Sequence, residues 1–229
     1  MVCLEMQNVS YRYEGGADYV LKNISASFER GKVYAIVGQS GAGKSTLLSL
    51  ISGLDICKDG DIYYNSVNMR ELDRDVYRSK SAGVIFQSYN LLLNSAAVYN
   101  ITLSMNITGG SIKERKAKRN YAYTLLDKVG IDRETAGRKI LKLSGGEQQR
   151  VGIARAIAHN PDIIIADEPT GNLDAETEKA VLEILSRLAY EDNKCVIIVT
   201  HSHEVSSIAD VVLRMEGGRL AYCAISGLS

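Results

Sequence analysis

At 229 residues with 45% hydrophobic content the chain can bury one substantial core, and its 27 basic and 27 acidic residues cancel, so no global field recruits nucleic acid or an anionic lipid surface. The four cysteines, Cys3, Cys57, Cys195 and Cys223, show neither C-x-x-C spacing nor a clustered framework, which predicts reduced thiols of a cytoplasmic protein rather than disulfides or a metal centre. No apolar run approaches the roughly 18–20 residues of a membrane helix, and the first residues lack the basic and apolar regions of a secretory signal.

In chain order, residues up to about Gln87 read as β-rich, with strands near 4–9, 20–28, 33–37, 61–64 and 83–87. One helix interrupts them: Leu47, Leu48, Leu50, Ile51 and Leu54 fall at helical spacing directly after a glycine-rich stretch. From about 94 to 159 the pattern turns helical. Ser111-Ile112-Lys113-Glu114 is a capping-box signature that predicts a charged helix running to Val129, and Ser144-Gly145-Gly146-Glu147 is a second. The basic run 113–119 is interrupted by Glu114 and holds no aromatic, which makes it a solvated helix face rather than a nucleic-acid site. Beyond Pro161 strand and helix alternate again: a strand at 163–166, a helix over 176–189, a strand at 196–200, a short helix, and a hairpin joining 211–215 to 219–222. The expected fold is α/β, a nucleotide-binding core (1–87 and 161–229) with a helical insertion (88–160), in a single domain spanning 1–229.

The chemistry is carried by Gly38-Gln39-Ser40-Gly41-Ala42-Gly43-Lys44-Ser45-Thr46, which matches the phosphate-loop pattern G-x-x-x-x-G-K-[ST] without mismatch. Small residues let successive N–H groups turn onto phosphate oxygens, Lys44 reaches the β- and γ-phosphates, and the Ser45 hydroxyl ligates Mg²⁺. A β-rich run before the loop and a helix after it supply the required context, since a helix N-terminus favours an anion. A second cluster follows the buried-strand run 163–166, where Asp167 and Glu168 stand at the strand's carboxyl end, the place where ligands gather in open parallel sheets. Asp167 is assigned to Mg²⁺ and Glu168 to polarising the attacking water. Asn193-Lys194-Cys195-Val196 lacks the carboxylate of the guanine-reading N-K-x-D motif, so ATP is expected over GTP.

With these residues placed, the chain closely resembles, over essentially its full length, the ATP-binding subunit of ATP-binding-cassette (ABC) transporters. The decisive string is Leu143-Ser144-Gly145-Gly146-Glu147-Gln148-Gln149-Arg150, which looks like the family's signature motif. The resemblance implies a P-loop NTPase (RecA-like) core with an antiparallel β subdomain, the signature being carried on the helical insertion. It also implies a head-to-tail dimer around two ATP molecules, with Ser144 and Gly146 contacting the γ-phosphate held by the opposite subunit. By position, Gln87 resembles the Q-loop glutamine that senses Mg²⁺ and the γ-phosphate. His201 resembles the switch histidine, with His203 competing. Asp174, in Asn172-Leu173-Asp174, matches the D-loop residue that couples the two sites, and Tyr13 the aromatic that stacks on adenine, with Tyr11 close enough to compete.

Finer resemblance is to the subfamily serving lipoprotein release, macrolide efflux and antimicrobial-peptide export or resistance, through Gly53-Leu54-Asp55, Gln87 followed by Asn90-Leu91-Leu92, and the stretch 168–174. Gly152 and Ile157 depart from the alanine and leucine expected there, and Asn65-Ser66 replaces a usual turn glycine. The implied protein is a cytoplasmic ATPase, peripheral on the inner face of the plasma membrane, that works with a second copy of itself and a membrane-embedded permease subunit. Two other readings are open: a cassette that signals to an extracytoplasmic enzyme or sensor without cargo, and a soluble cassette ATPase of DNA repair or translation. In the family the region after the Q-loop lines a groove for a short cytoplasmic helix of the permease, so at least one of Leu91, Leu92 and Leu93 is expected to be exposed.

Overall fold

The computed structural model describes residues 1–109 and 112–223. Six strands form its central sheet, in the spatial order β10 (Arg219–Tyr222), β9 (Val211–Glu216), β3 (Lys32–Val37), β8 (Cys195–Thr200), β7 (Ile163–Asp167) and β6 (Ala82–Ile85). All neighbours run parallel except the β9–β10 hairpin. β7 and β8 are runs of Ile and Val buried on both faces, as parallel strands covered by other layers must be.

Alternate residues of these strands feed two cores. Ile163, Ile165, Ile197 and Val199 meet α1 (Lys44–Ile51) and the inner face of a second, antiparallel sheet ordered β2 (Leu21–Glu29), β1 (Val2–Tyr11), β4 (Asp59–Tyr64), β5 (Val67–Asn68). Ile164, Ala166, Val196 and Ile198 face α7 (Ala175–Tyr190) and the inserted helices α3 (Ala97–Ile107), α4 (Arg115–Lys128) and α6 (Gly145–Ala156). The antiparallel sheet is pinned to the base of β7 by Arg30, whose guanidinium donates two 2.5 Å hydrogen bonds to the two oxygens of Asp162, while the Tyr64 hydroxyl donates a third of 2.6 Å. Burial opposes ionisation of Asp162, yet these partners hold its carboxyl below the usual range.

The structure shifts two predicted elements and adds a helix. The strand expected at 83–87 ends at Ile85, so Gln87 stands in a loop. A helix missed in the β-rich part, α2 (Arg74–Lys80), is started by Asp73, whose carboxylate accepts from the N–H groups of Asp75 and Val76. The charged helix starts at Arg115 with Glu114 as N-cap, not at the Ser111 box; Ser111 lies outside the described residues. Two short helices, α5 (Arg133–Ala136) and α8 (His203–Ile208), complete the set. The β4–β5 turn that lacks its glycine is made by Asn65 and Ser66, both left-handed at φ 47° and 67°, a pairing that matches the twist of a tight hairpin.

Candidate active site

Strand register brings the predicted motifs together. Val37 pairs with Thr200, Val199 with Asp167, and Ala166 with Ile85, so the chain leaves four adjacent parallel strands at Gly38, His201, Glu168 and Phe86-Gln87 along one sheet edge. That edge, at the carboxyl ends of the strands, is where an open α/β sheet presents a ligand crevice.

The loop 38–46 is shaped for close approach of backbone. A Cβ on Gly38 would sit 2.3 Å from the Met215 carbonyl oxygen, and Gly43 holds φ 106°, where a Cβ would press on Leu21 at 2.9 Å. The helix that follows, α1, has no side-chain cap and no acid in its first turn, so its leading N–H groups and dipole are free to meet an anion. Lys44 lies back across the loop, its ammonium donating to the carbonyl oxygens of Gly38 (2.7 Å) and Gln39 (3.0 Å), while Ser45 is exposed beside it and Thr46 is buried. A cavity of about 700 Å³ opens beside Gln39, Ser40, Gly41 and Ala42, between the loop, His201 and Glu216 of the β9–β10 hairpin.

Asp167 ends β7 half-buried, and burial, followed by the charge of Glu168, raises its carboxyl above the ordinary range against the pull of Lys44. A divalent cation would relieve both penalties, so the donor set fits Mg²⁺ together with the exposed Ser45 hydroxyl. Glu168 adopts φ 45°, a left-handed conformation costly for a residue with a β-carbon and characteristic of functional positions. Its side chain is held three times: Oε2 accepts from the Thr200 hydroxyl at 3.1 Å and from the His201 backbone N–H at 3.4 Å, and Oε1 lies 2.8 Å from His201 Nδ1. Glu168 is 13% exposed at its side chain and His201 70%, so the pair runs from the sheet edge outward. The side chain of His203, the competing histidine, lies outside the described part. Gln87 is exposed, its amide nitrogen 3.6 Å from the position a Cβ on Gly171 would take.

The two tyrosines separate cleanly. Tyr11 is buried, its hydroxyl donates to the Asp55 carboxylate, and its ring meets that of Tyr13 edge-on at 5.2 Å. Tyr13 is 54% exposed, with its hydroxyl 2.8 Å from Thr46 Oγ1. The sequence offers no role for Asp55 in Gly53-Leu54-Asp55; its hydrogen bond from the Tyr11 hydroxyl, 44 residues away, supplies one.

The signature segment stands apart. Among the described residues no hydrogen bond joins 143–150 to the phosphate loop. Ser144 caps α6 in a complete capping box: its hydroxyl accepts from the Glu147 N–H, and Glu147 accepts from the Ser144 N–H at 2.7 Å. Gly146 is pressed against α7, where an added Cβ would lie 2.2 Å from Thr177 Cγ2. Asp174 caps α7, accepting from the Thr177 N–H (3.0 Å) and hydroxyl (2.8 Å), bonds that hold its carboxyl below the usual range. Leu91 is buried, whereas Leu92 and Leu93 are 47% and 49% exposed.

The family model for the ABC transporter matches residues 21–171, more than half of the chain. This chain belongs to the ABC transporter family. It is 42% identical to the uncharacterized ABC transporter ATP-binding protein YclH of Bacillus subtilis, an alignment covering 95% of each chain. It is 38% identical to the lipoprotein-releasing system ATP-binding protein LolD 2 of Rhodopirellula baltica, over 88% of this chain and 81% of that one. Its backbone matches MJ0796 of Methanocaldococcus jannaschii, solved as a dimer in a post-hydrolysis state with ADP and Pi, at a TM-score of 0.88 and 33% identity over 98% and 99% of the two chains. As a member of that family the protein is an ABC ATPase that uses ATP and Mg²⁺. No helix among the described residues is long and apolar enough to cross a membrane.

Proposed function

We propose that this ATPase closes head to tail with a second copy around two ATP molecules and so drives a permease that exports or extracts a peptide, lipoprotein or drug-like substrate. The observation that carries the reading is the alignment of the phosphate loop, His201, Asp167-Glu168 and Gln87 at the ends of four adjacent strands, beside an uncapped helix. The backbone of 38–46 and Lys44 hold the phosphates, and Ser45, Asp167 and Gln87 would hold Mg²⁺, which when bound would supply positive charge against the transferring phosphoryl group. Glu168, steadied by Thr200 and His201, orients the attacking water, and His201 contacts the γ-phosphate. Tyr13, steadied edge-on by the anchored Tyr11, stacks on adenine once its hydroxyl leaves Thr46. Ser144 and Gly146 of each copy complete the other copy's site, and Asp174 links the two.

Residues 88–160 form the helical subdomain, and the exposed Leu92 and Leu93 are the apolar anchors for a cytoplasmic helix of the permease, which holds the ATPase at the inner face of the plasma membrane. The cargo class is supported by the likeness to a lipoprotein-releasing relative. Glu168→Gln tests the catalytic core: it keeps ATP binding, cuts turnover by roughly 10²–10⁴, and accumulates an ATP-bound dimer in gel filtration with Mg-ATP. A variant that stays monomeric with ATP, or turns over at the parent rate, overturns the reading.

A further inference from the structure

Between Gln87 and the exposed leucines the backbone makes two consecutive left-handed steps, Tyr89 at φ 58° and Asn90 at φ 51°. Asparagine tolerates this region as a single residue but tyrosine does not, so the Tyr89 conformation persists only where surroundings fix it. Both steps are fixed from α6. The Arg155 guanidinium donates one hydrogen bond to the Asn90 carbonyl oxygen and another, of 3.0 Å, to that of Tyr89. The planar fork holds both carbonyls at once, which a single point donor does not. The other end of α6 meets the same segment: a Cβ on Gly145, beside Ser144, would lie 3.3 Å from the Tyr89 hydroxyl. Local bonds tighten the turn further, from the Asn90 N–H to the Ser88 carbonyl (2.6 Å) and from the Ser88 hydroxyl to Asn90 Oδ1 (3.0 Å).

We infer that Arg155 is a positioning residue that makes the loop after Gln87 and the signature helix one rigid body. A displacement of Gln87 by the nucleotide in its own subunit is then delivered to Ser144 and Gly146, which face the nucleotide of the partner, so occupancy of one site prepares the other. The inference rests on the two-site reading above. Arg155 itself touches neither nucleotide nor metal; it acts through the Tyr89–Asn90 carbonyls.

The test compares the parent with Arg155→Lys and Arg155→Met, and repeats each on a Glu168→Gln background. ATP affinity of the monomer, read with a fluorescent ATP analogue, stays within about twofold of the parent. The Hill coefficient of ATP hydrolysis falls from about 2 towards 1, and ATP-dependent dimerisation of the Glu168→Gln form weakens about tenfold or more, with the lysine variant intermediate because it restores one donor. An arginine needed only for stability would lower the melting temperature and the yield of active protein while leaving the Hill coefficient of the surviving protein unchanged; that result overturns the inference. Arg155→Lys keeps the charge and the packed stem, so it decides the matter where the methionine variant fails to fold. Failure of Glu168→Gln alone to dimerise with ATP would instead strike the two-site reading.

Discussion

Two helices of this protein start at glycine-rich segments associated with phosphate, and they start differently. α1 follows the phosphate loop with no side-chain cap, no acidic residue in its first turn and a lysine folded over its mouth. α6 follows Ser144 with both halves of a capping box satisfied and the carboxylate of Glu147 in its first turn. An uncapped N-terminus leaves donors whose only good partner is an anion, whereas a capped one has already satisfied donors internally and carries a negative charge against the dipole's preferred ligand. The first is built to hold phosphate alone. The second would contribute only where another surface presents the phosphate to it, the part proposed above for a partner subunit.

The largest break in that comparison comes from opposing single substitutions. Lys44→Ala removes the cation proposed to hold the β- and γ-phosphates and is expected to weaken ATP binding by about 10–160-fold, from roughly 1.5–3 kcal/mol, with turnover lost. Ser144→Arg leaves the subunit's own loop intact, so monomer affinity stays within about threefold while ATP-driven dimerisation and hydrolysis are lost. Titration calorimetry on the monomer together with gel filtration separates the two. Equal losses of affinity would place Ser144 in its own subunit's site and dissolve the distinction between the helices.

A middle-sized effect probes how tightly α6 is seated. A Cβ on Gly146 would meet Thr177 Cγ2 at 2.2 Å, so Gly146→Ala forces α6 away from α7 at a cost of about 1–3 kcal/mol. Over this chain length that is a fall of roughly 2–12 °C in Tm. Thr177→Ser removes the clashing methyl and keeps the hydroxyl that bonds Asp174, so the double variant regains most of the loss. A double variant no more stable than Gly146→Ala would show that the glycine serves backbone freedom rather than the contact.

Legibility in the sequence followed the range of the interaction. The phosphate loop, the Asp167-Glu168 strand end and the α6 capping box are contiguous strings whose physics is local, and the structure has them where the strings stand. α2 was missed because its signal is one Asp73 cap ahead of a seven-residue helix with little apolar periodicity. Tyr11 and Tyr13 are distinguished only once β1 is paired with β2 and β4, which buries one ring and leaves the other open. Arg30 on Asp162 and Arg155 on Tyr89 and Asn90 join residues 132, 66 and 65 positions apart, and no pattern in one sequence pairs groups at that distance. Single-residue roles that depend on such pairings become visible only in the folded chain.

The smallest effect sharpens the contrast between the helices most directly. If the carboxylate of Glu147 is what makes the α6 N-terminus a conditional phosphate site, neutralising it without breaking the cap should strengthen that site. Glu147→Gln does this, because a glutamine side chain still accepts from the Ser144 N–H and completes the box. A single charge near a helix terminus is worth about 0.3–1 kcal/mol, so ATP-dependent dimerisation of the Glu168→Gln form should tighten about two- to fivefold. The gain should shrink with added salt, since Glu147 is only partly covered and its charge is screened. Melting temperature and monomer ATP affinity should stay at parent values, which distinguishes an electrostatic gain at the interface from a better-formed helix. Dimerisation unchanged at low salt would mean that the closed assembly already neutralises Glu147, and that the capped and uncapped ends differ in geometry rather than in charge.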